Sequence, residues 1–71
     1  MTETTYAERL FGFISTHLDA GRTVYASNYL RVIPMTPKNR ALIRLSADRN
    51  HVEVSFGKRW DSINGCKITA R

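Results

Sequence analysis

The chain holds one cysteine, Cys66, in 71 residues. An internal disulfide and a cysteine-rich zinc site are therefore excluded. Long apolar runs are missing too: the contiguous apolar stretches fall far short of the ~20 residues of a membrane span. The opening residues, Met1-Thr2-Glu3-Thr4-Thr5, are polar, not basic and then apolar. No signal peptide is expected, and one unpaired thiol suits a reducing cytoplasm. No glycine-rich phosphate loop, His-x-x-x-His pair or Gly-x-Ser-x-Gly elbow occurs, so the reading is non-enzymatic and implies no cofactor. Acidic residues are few: six Asp+Glu against eleven Lys+Arg give a formal charge of +5.

What is present is an ordinary globular composition, 42% hydrophobic, which argues against wholesale disorder. One domain spanning residues 1–71 is expected, with a small core. A domain of this size gains from a partner, so a homodimer through an open sheet edge is expected.

Thr5 followed by Glu8 forms a capping box, each side chain satisfying an N–H of the first helical turn. Tyr6, Leu10, Phe13, Ile14, His17 and Leu18 then recur at helical spacing. Glu3 and Glu8 near the start and His17 near the end complement the helix dipole, and Gly21 supplies the stop. A helix over about 6–19 follows, with Phe11 off the centre of its stripe.

After Gly21 the period changes to 2. Val24, Ala26, Asn28, Leu30 and Val32 alternate with Thr23, Tyr25, Ser27, Tyr29 and Arg31, the pattern of a half-buried strand. Ser27-Asn28 reads as either a bulge or a break between two strands. Pro34 and Pro37 argue against a regular ladder there. Residues 37–46 admit two readings: a short helix, or a helical turn at Pro37–Arg40 followed by a strand at Ala41–Ser46. The second is preferred, because the clean alternation of His51–Phe56 makes it half of a hairpin. Asn64-Gly65 is a strong turn pair, and Cys66, Ile68 and Ala70 alternate as a last strand.

The expected fold is α+β: one N-terminal helix on a three- to four-stranded antiparallel sheet. The expected core is Leu10, Phe13, Ile14, Leu18, Val24, Leu30, Val32, Ile43, Leu45, Val52, Val54, Phe56, Ile63 and Ile68. His17 reads as a helix cap, His51 as a surface strand residue and Cys66 as a small buried hydrophobe; no metal site is expected.

Eight of the eleven cations are arginine, the side chain suited to bidentate phosphate contacts and ring stacking. If one sheet face meets the helix, the other collects Tyr25, Tyr29, Arg31, Arg44 and Lys67, with Glu53 diluting the charge. Lys58, Arg59 and Trp60 in the next loop extend the patch. Trp60 reads either as a core end-piece or as a binding anchor. Cations interleaved with aromatics suit single-stranded nucleic acid.

The run Gly57-Lys58-Arg59-Trp60-Asp61-Ser62-Ile63-Asn64-Gly65-Cys66-Lys67-Ile68 resembles the C-terminal segment of small accessory proteins of bacteriophages and related mobile elements. That resemblance implies a bacterial cytoplasm and a protein that binds nucleic acid or inhibits a host enzyme, defence complexes included, in the manner of an anti-CRISPR. It carries no catalytic residue. The expected function is thus non-catalytic binding of nucleic acid, or alternatively docking on an acidic host protein surface.

The helix stripe yields a first prediction. Leu10→Asp places a charge at the centre of the stripe and unfolds the domain; a thermal melt followed by circular dichroism loses its cooperative transition.

Overall fold

The computed structural model describes residues 4–55 and 57–71. Glu3 and Phe56, placed above at the helix start and in the core, lie outside the described residues. The described residues form α1 (Tyr6–Asp19), β1 (Val24–Ser27), β2 (Val32–Met35), a 3-10 helix (Pro37–Leu42), β3 (Ile43–Leu45), β4 (Val52–Ser55), β5 (Trp60–Ser62) and β6 (Lys67–Ala70). The strands make two antiparallel three-stranded sheets, ordered β2-β1-β6 and β3-β4-β5. The fold is α+β with one N-terminal helix, as the sequence implies, but the strands divide between two sheets.

Both ends of α1 follow from local chemistry. The Thr5 hydroxyl accepts the Glu8 N–H at 3.1 Å, and Glu8 Oε1 accepts the Thr5 N–H at 3.1 Å. At the other end Gly21 takes φ +82°. The Arg22 N–H donates to the His17 carbonyl at 2.9 Å and the Gly21 N–H to the Leu18 carbonyl at 3.0 Å. That pair of bonds is a Schellman closure, which needs the left-handed residue between them.

The buried stripe is Ala7, Leu10, Ile14 and Leu18. Phe13, expected in the core, is 44% exposed, and Tyr6 is exposed as well. Contacts on the opposite flank account for the rotation. Arg40 of the 3-10 helix donates to Ser15 Oγ at 2.9 Å, ion-pairs with Asp19 at 3.9 Å and lies 5.3 Å from the centre of the Phe11 ring. The helix therefore turns Phe11 toward the core and Phe13 toward water.

The expected long strand is a hairpin. Asn28 Oδ1 accepts the N–H groups of Leu30 at 2.8 Å and Arg31 at 3.0 Å, a side-chain closure that reverses the chain. Parity restarts after it. Ile33 and Met35 are buried, while Leu30 and Val32, assigned to the core above, are 77% and 59% exposed. Pro34 sits inside β2 opposite Tyr25, correcting the expectation that two prolines rule out a ladder. A proline is tolerated because β2 is an edge strand.

Residues 37–46 combine a 3-10 helix with a strand, which begins at Ile43. β4 then pairs with both β3 and β5. Asn64 ends this second sheet: its side chain accepts the Val52 N–H at 3.0 Å and donates to the Asn50 carbonyl at 2.6 Å. With those positions filled and Gly65 at φ +84°, the chain leaves for the first sheet. There β6 pairs with β1, Val24 opposite Ala70 and Ser27 opposite Lys67. The inner faces of both sheets and the α1 stripe enclose one core, in which Val24, Ala26, Val52 and Ile63 are fully buried. Leu45, Ile68 and Cys66 are partly buried against it.

Arg49, in the β3–β4 turn, takes φ +60°, an unusual value for a residue with a Cβ. The helix cap holds it there. The Thr5 hydroxyl donates to its carbonyl at 2.6 Å, and its guanidinium reaches Glu8 Oε2 at 3.4 Å. The Thr5 N–H, opposed by partial burial, holds the Glu8 carboxyl below the usual carboxylate range. A lowered folded value contributes stability that is present above the ordinary range and lost as pH falls through the lowered one. Glu8→Gln should therefore flatten the acid limb of the stability profile, read from urea midpoints between neutral pH and pH ~3. Thr5→Ala, which removes the cap hydroxyl, should lower stability by about 1 kcal/mol.

Candidate nucleic-acid interface

Burial of Val24 and Ala26 forces their neighbours in β1 to the opposite side, so Tyr25 and Ser27 stand on the outer face of the first sheet. Register fills the face around them. Pro34, Tyr25 and Thr69 form one row, and Val32, Ser27 and Lys67 the next. Thr23 and Arg71 extend the ladder by one pair: the Thr23 N–H donates to the Arg71 carbonyl at 3.0 Å, and the Arg71 N–H returns to Thr23 at 2.8 Å. The Arg71 side chain thus shares the face, its guanidinium carbon 5.8 Å from the centre of the Tyr25 ring. Tyr25, Ser27, Val32, Thr69 and Arg71 line a shallow cleft of about 350 Å³.

The two sheets separate the residues that parity alone had grouped. Tyr25 and Lys67 do share a face. Tyr29 projects from the β1–β2 loop, 95% exposed, and Arg31 in the same loop ion-pairs with Asp61 at 3.8 Å. Arg44 belongs to the second sheet. It donates from Nε to Glu53 Oε1 at 3.0 Å and lies 4.0 Å over the Trp60 ring, so Arg44 and Trp60 are engaged with each other. Lys58 and Arg59 are exposed between β4 and β5. Sequence reading missed Arg71 and the cleft role of Thr69; continuing the Lys67-Thr69 alternation by one step would have found Arg71.

Electrostatics distinguish the two sheets. Glu8, Asp19, Glu53 and Asp61 each pair with an arginine. Asp48 accepts the Ser46 hydroxyl at 2.5 Å and the Asn50 N–H at 3.0 Å, which lower its carboxyl, the hydroxyl foremost. β1, β2 and β6 contain no carboxylate at all. Among the described residues, Lys67 and Arg71 have no carboxylate within 4.0 Å, a condition they share with Arg9, Arg22, Lys38, Lys58 and Arg59 but which in β1, β2 and β6 no acidic side chain offsets. A cation without a local counter-charge is available to an external anion.

The other candidate groups have structural partners. His17 Nδ1 is 3.2 Å from Arg22 Nη1, with its ring edge-on to Phe13, and His51 Nδ1 is 3.3 Å from Ser62 Oγ. Asn28 Nδ2 lies 3.8 Å from Cys66 Sγ. Among the described residues no three His, Cys, Asp or Glu gather to hold a metal ion, and no helix is long and apolar enough to cross a membrane.

The Arg44–Trp60 stack can be read directly, because Trp60 is the only tryptophan. Arg44→Ala should shift its emission to the red as the ring gains water, and lower stability by under about 1 kcal/mol.

Compared with known proteins, the chain matches no family model, no curated protein and no solved structure.

Proposed function

We propose that this chain is a non-catalytic protein that binds single-stranded nucleic acid on the outer face of its first sheet. One observation carries the reading: that face lacks carboxylate side chains yet presents Lys67 and Arg71 beside Tyr25, while Arg40, Arg44 and Arg49 of the helix side and second sheet are engaged by acidic partners. Lys67 and Arg71 would neutralise phosphates. Tyr25, and Tyr29 at the loop tip, would stack bases. Ser27 and Thr69 add hydroxyls that donate or accept, a pairing tolerant of base identity. A bacterial cytoplasmic setting, which a phage-accessory resemblance of residues 57–68 would imply, is part of the same proposal.

A second reading has its own observation. Tyr29 and Leu30 are 95% and 77% exposed on a tip braced by Asn28, the form of an anchor for an apolar cleft on an acidic host protein. On that reading the chain inhibits a host enzyme or defence complex.

Titration of a labelled single-stranded oligonucleotide at two salt concentrations decides between them. The nucleic-acid reading expects affinity to fall with salt, with a log–log slope of about 0.7 per phosphate neutralised. Lys67→Glu should weaken binding and reduce the slope. Tyr29→Ala should cost on the order of 1–3 kcal/mol of affinity if a base stacks there. Arg44→Ala, on the other sheet, should leave affinity unchanged. No binding at low salt overturns the reading in favour of protein docking.

A further inference from the structure

We infer that the cleft on the first sheet is a slot for one nucleobase, held between the Tyr25 ring and the Arg71 guanidinium, with the attached phosphate on Lys67 or Arg71. The inference rests on the nucleic-acid reading and makes it specific: a defined base-binding position, not a diffuse basic surface.

Two of the three cation–aromatic pairs among the described residues make the case by contrast. Arg44 lies 4.0 Å over Trp60 and is tied there by Glu53, so that pair is closed. Arg71 stands 5.8 Å from the centre of the Tyr25 ring, with no carboxylate within 4.0 Å among the described residues. Stacked planes sit about 3.5 Å apart, so a ring held between two others needs about 7 Å. Arg71 is exposed, so its side chain can swing outward to admit one. Its backbone is fixed by the two bonds to Thr23, which leaves the side chain as the moving part and the slot floor rigid.

The walls fit the same ligand. Val32, exposed on the edge strand, offers an apolar side to the ring. Thr69 stands directly across from Tyr25 and Ser27 one row along, placing hydroxyls where the polar edge of a base would lie. Those groups read no single base pattern, so the slot discriminates a base from its absence more than one base from another. The same chemistry is offered by a free nucleotide and by a nucleotide within a strand.

The test compares a single-stranded oligothymidylate, an abasic oligonucleotide of equal length and thymidine monophosphate, each titrated at low salt. The slot predicts that the abasic strand binds about tenfold more weakly than the normal one. Tyr25→Leu should abolish that ratio while leaving the salt slope intact, and Tyr25→Phe should restore it. Arg71→Gln, at an exposed position, should shrink the ratio and serves if Tyr25→Leu fails to fold. Thymidine monophosphate competing as well as the strand assigns the slot to a free nucleotide; competition only at much higher concentration assigns it to a nucleotide within a strand. Equal affinity for normal and abasic strands overturns the slot while sparing the nucleic-acid reading. No binding of any strand overturns both.

Discussion

The antiparallel pairing of β1 with β6 is the constraint on which the rest of the molecule depends. It joins residues 24–27 to residues 67–70, a long-range closure that a small chain makes only against a substantial entropy cost. The pairing makes β1 a central strand, and Val24 and Ala26 beneath it lose all contact with water. Once those two face inward, the pleat leaves Tyr25 and Ser27 no alternative to the outer face. Lys67 and Thr69 are brought alongside by the same register. The core and the candidate interface are therefore two sides of one pairing.

What could be read from the sequence was what neighbours in the chain decide. The Thr5–Glu8 box and the Gly21 stop are completed within one helical turn, and both ends of α1 were legible from them. The β3–β4 hairpin likewise announces itself by alternation on either side of a short turn. The errors came where a side chain elsewhere overrides the pattern. Asn28 bonds two backbone N–H groups and turns the chain, so Leu30 and Val32 kept a parity that the structure had already reset. Arg40 reaches the helix from 25 residues beyond Ser15 and rotates the stripe away from Phe13.

The candidate site was half legible for a related reason. Period-2 alternation says which side of a strand a residue occupies, but not which sheet the strand joins. Arg44 has the correct parity for the group in which it was placed. The division between sheets is made by Asn64, whose amide fills backbone positions of Asn50 and Val52. Net charge has the same blindness: the value of +5 says nothing of where acids meet bases. Ion pairing resolves it: the described carboxylates lie outside the strands of the first sheet, and only Asp61 reaches it, at Arg31 of the β1–β2 loop.

Pro34 has a consequence for how the protein coexists with other copies of itself. With Asn28 and Arg31 hydrogen-bonded across the loop, strict alternation makes Tyr25–Pro34 a non-bonded pair, so the backbone of Pro34 faces away from β1. An incoming strand would meet a ring where it needs a donor, and Val32 is left as the one outward N–H of β2. The β2 margin of the sheet is thereby blunted against templated strand addition, the first step of cross-β growth. A face that carries half-buried Tyr25 and exposed Val32, with Tyr29 at its loop tip, can stay open to a ligand along β2 because that strand is a poor template for its own kind.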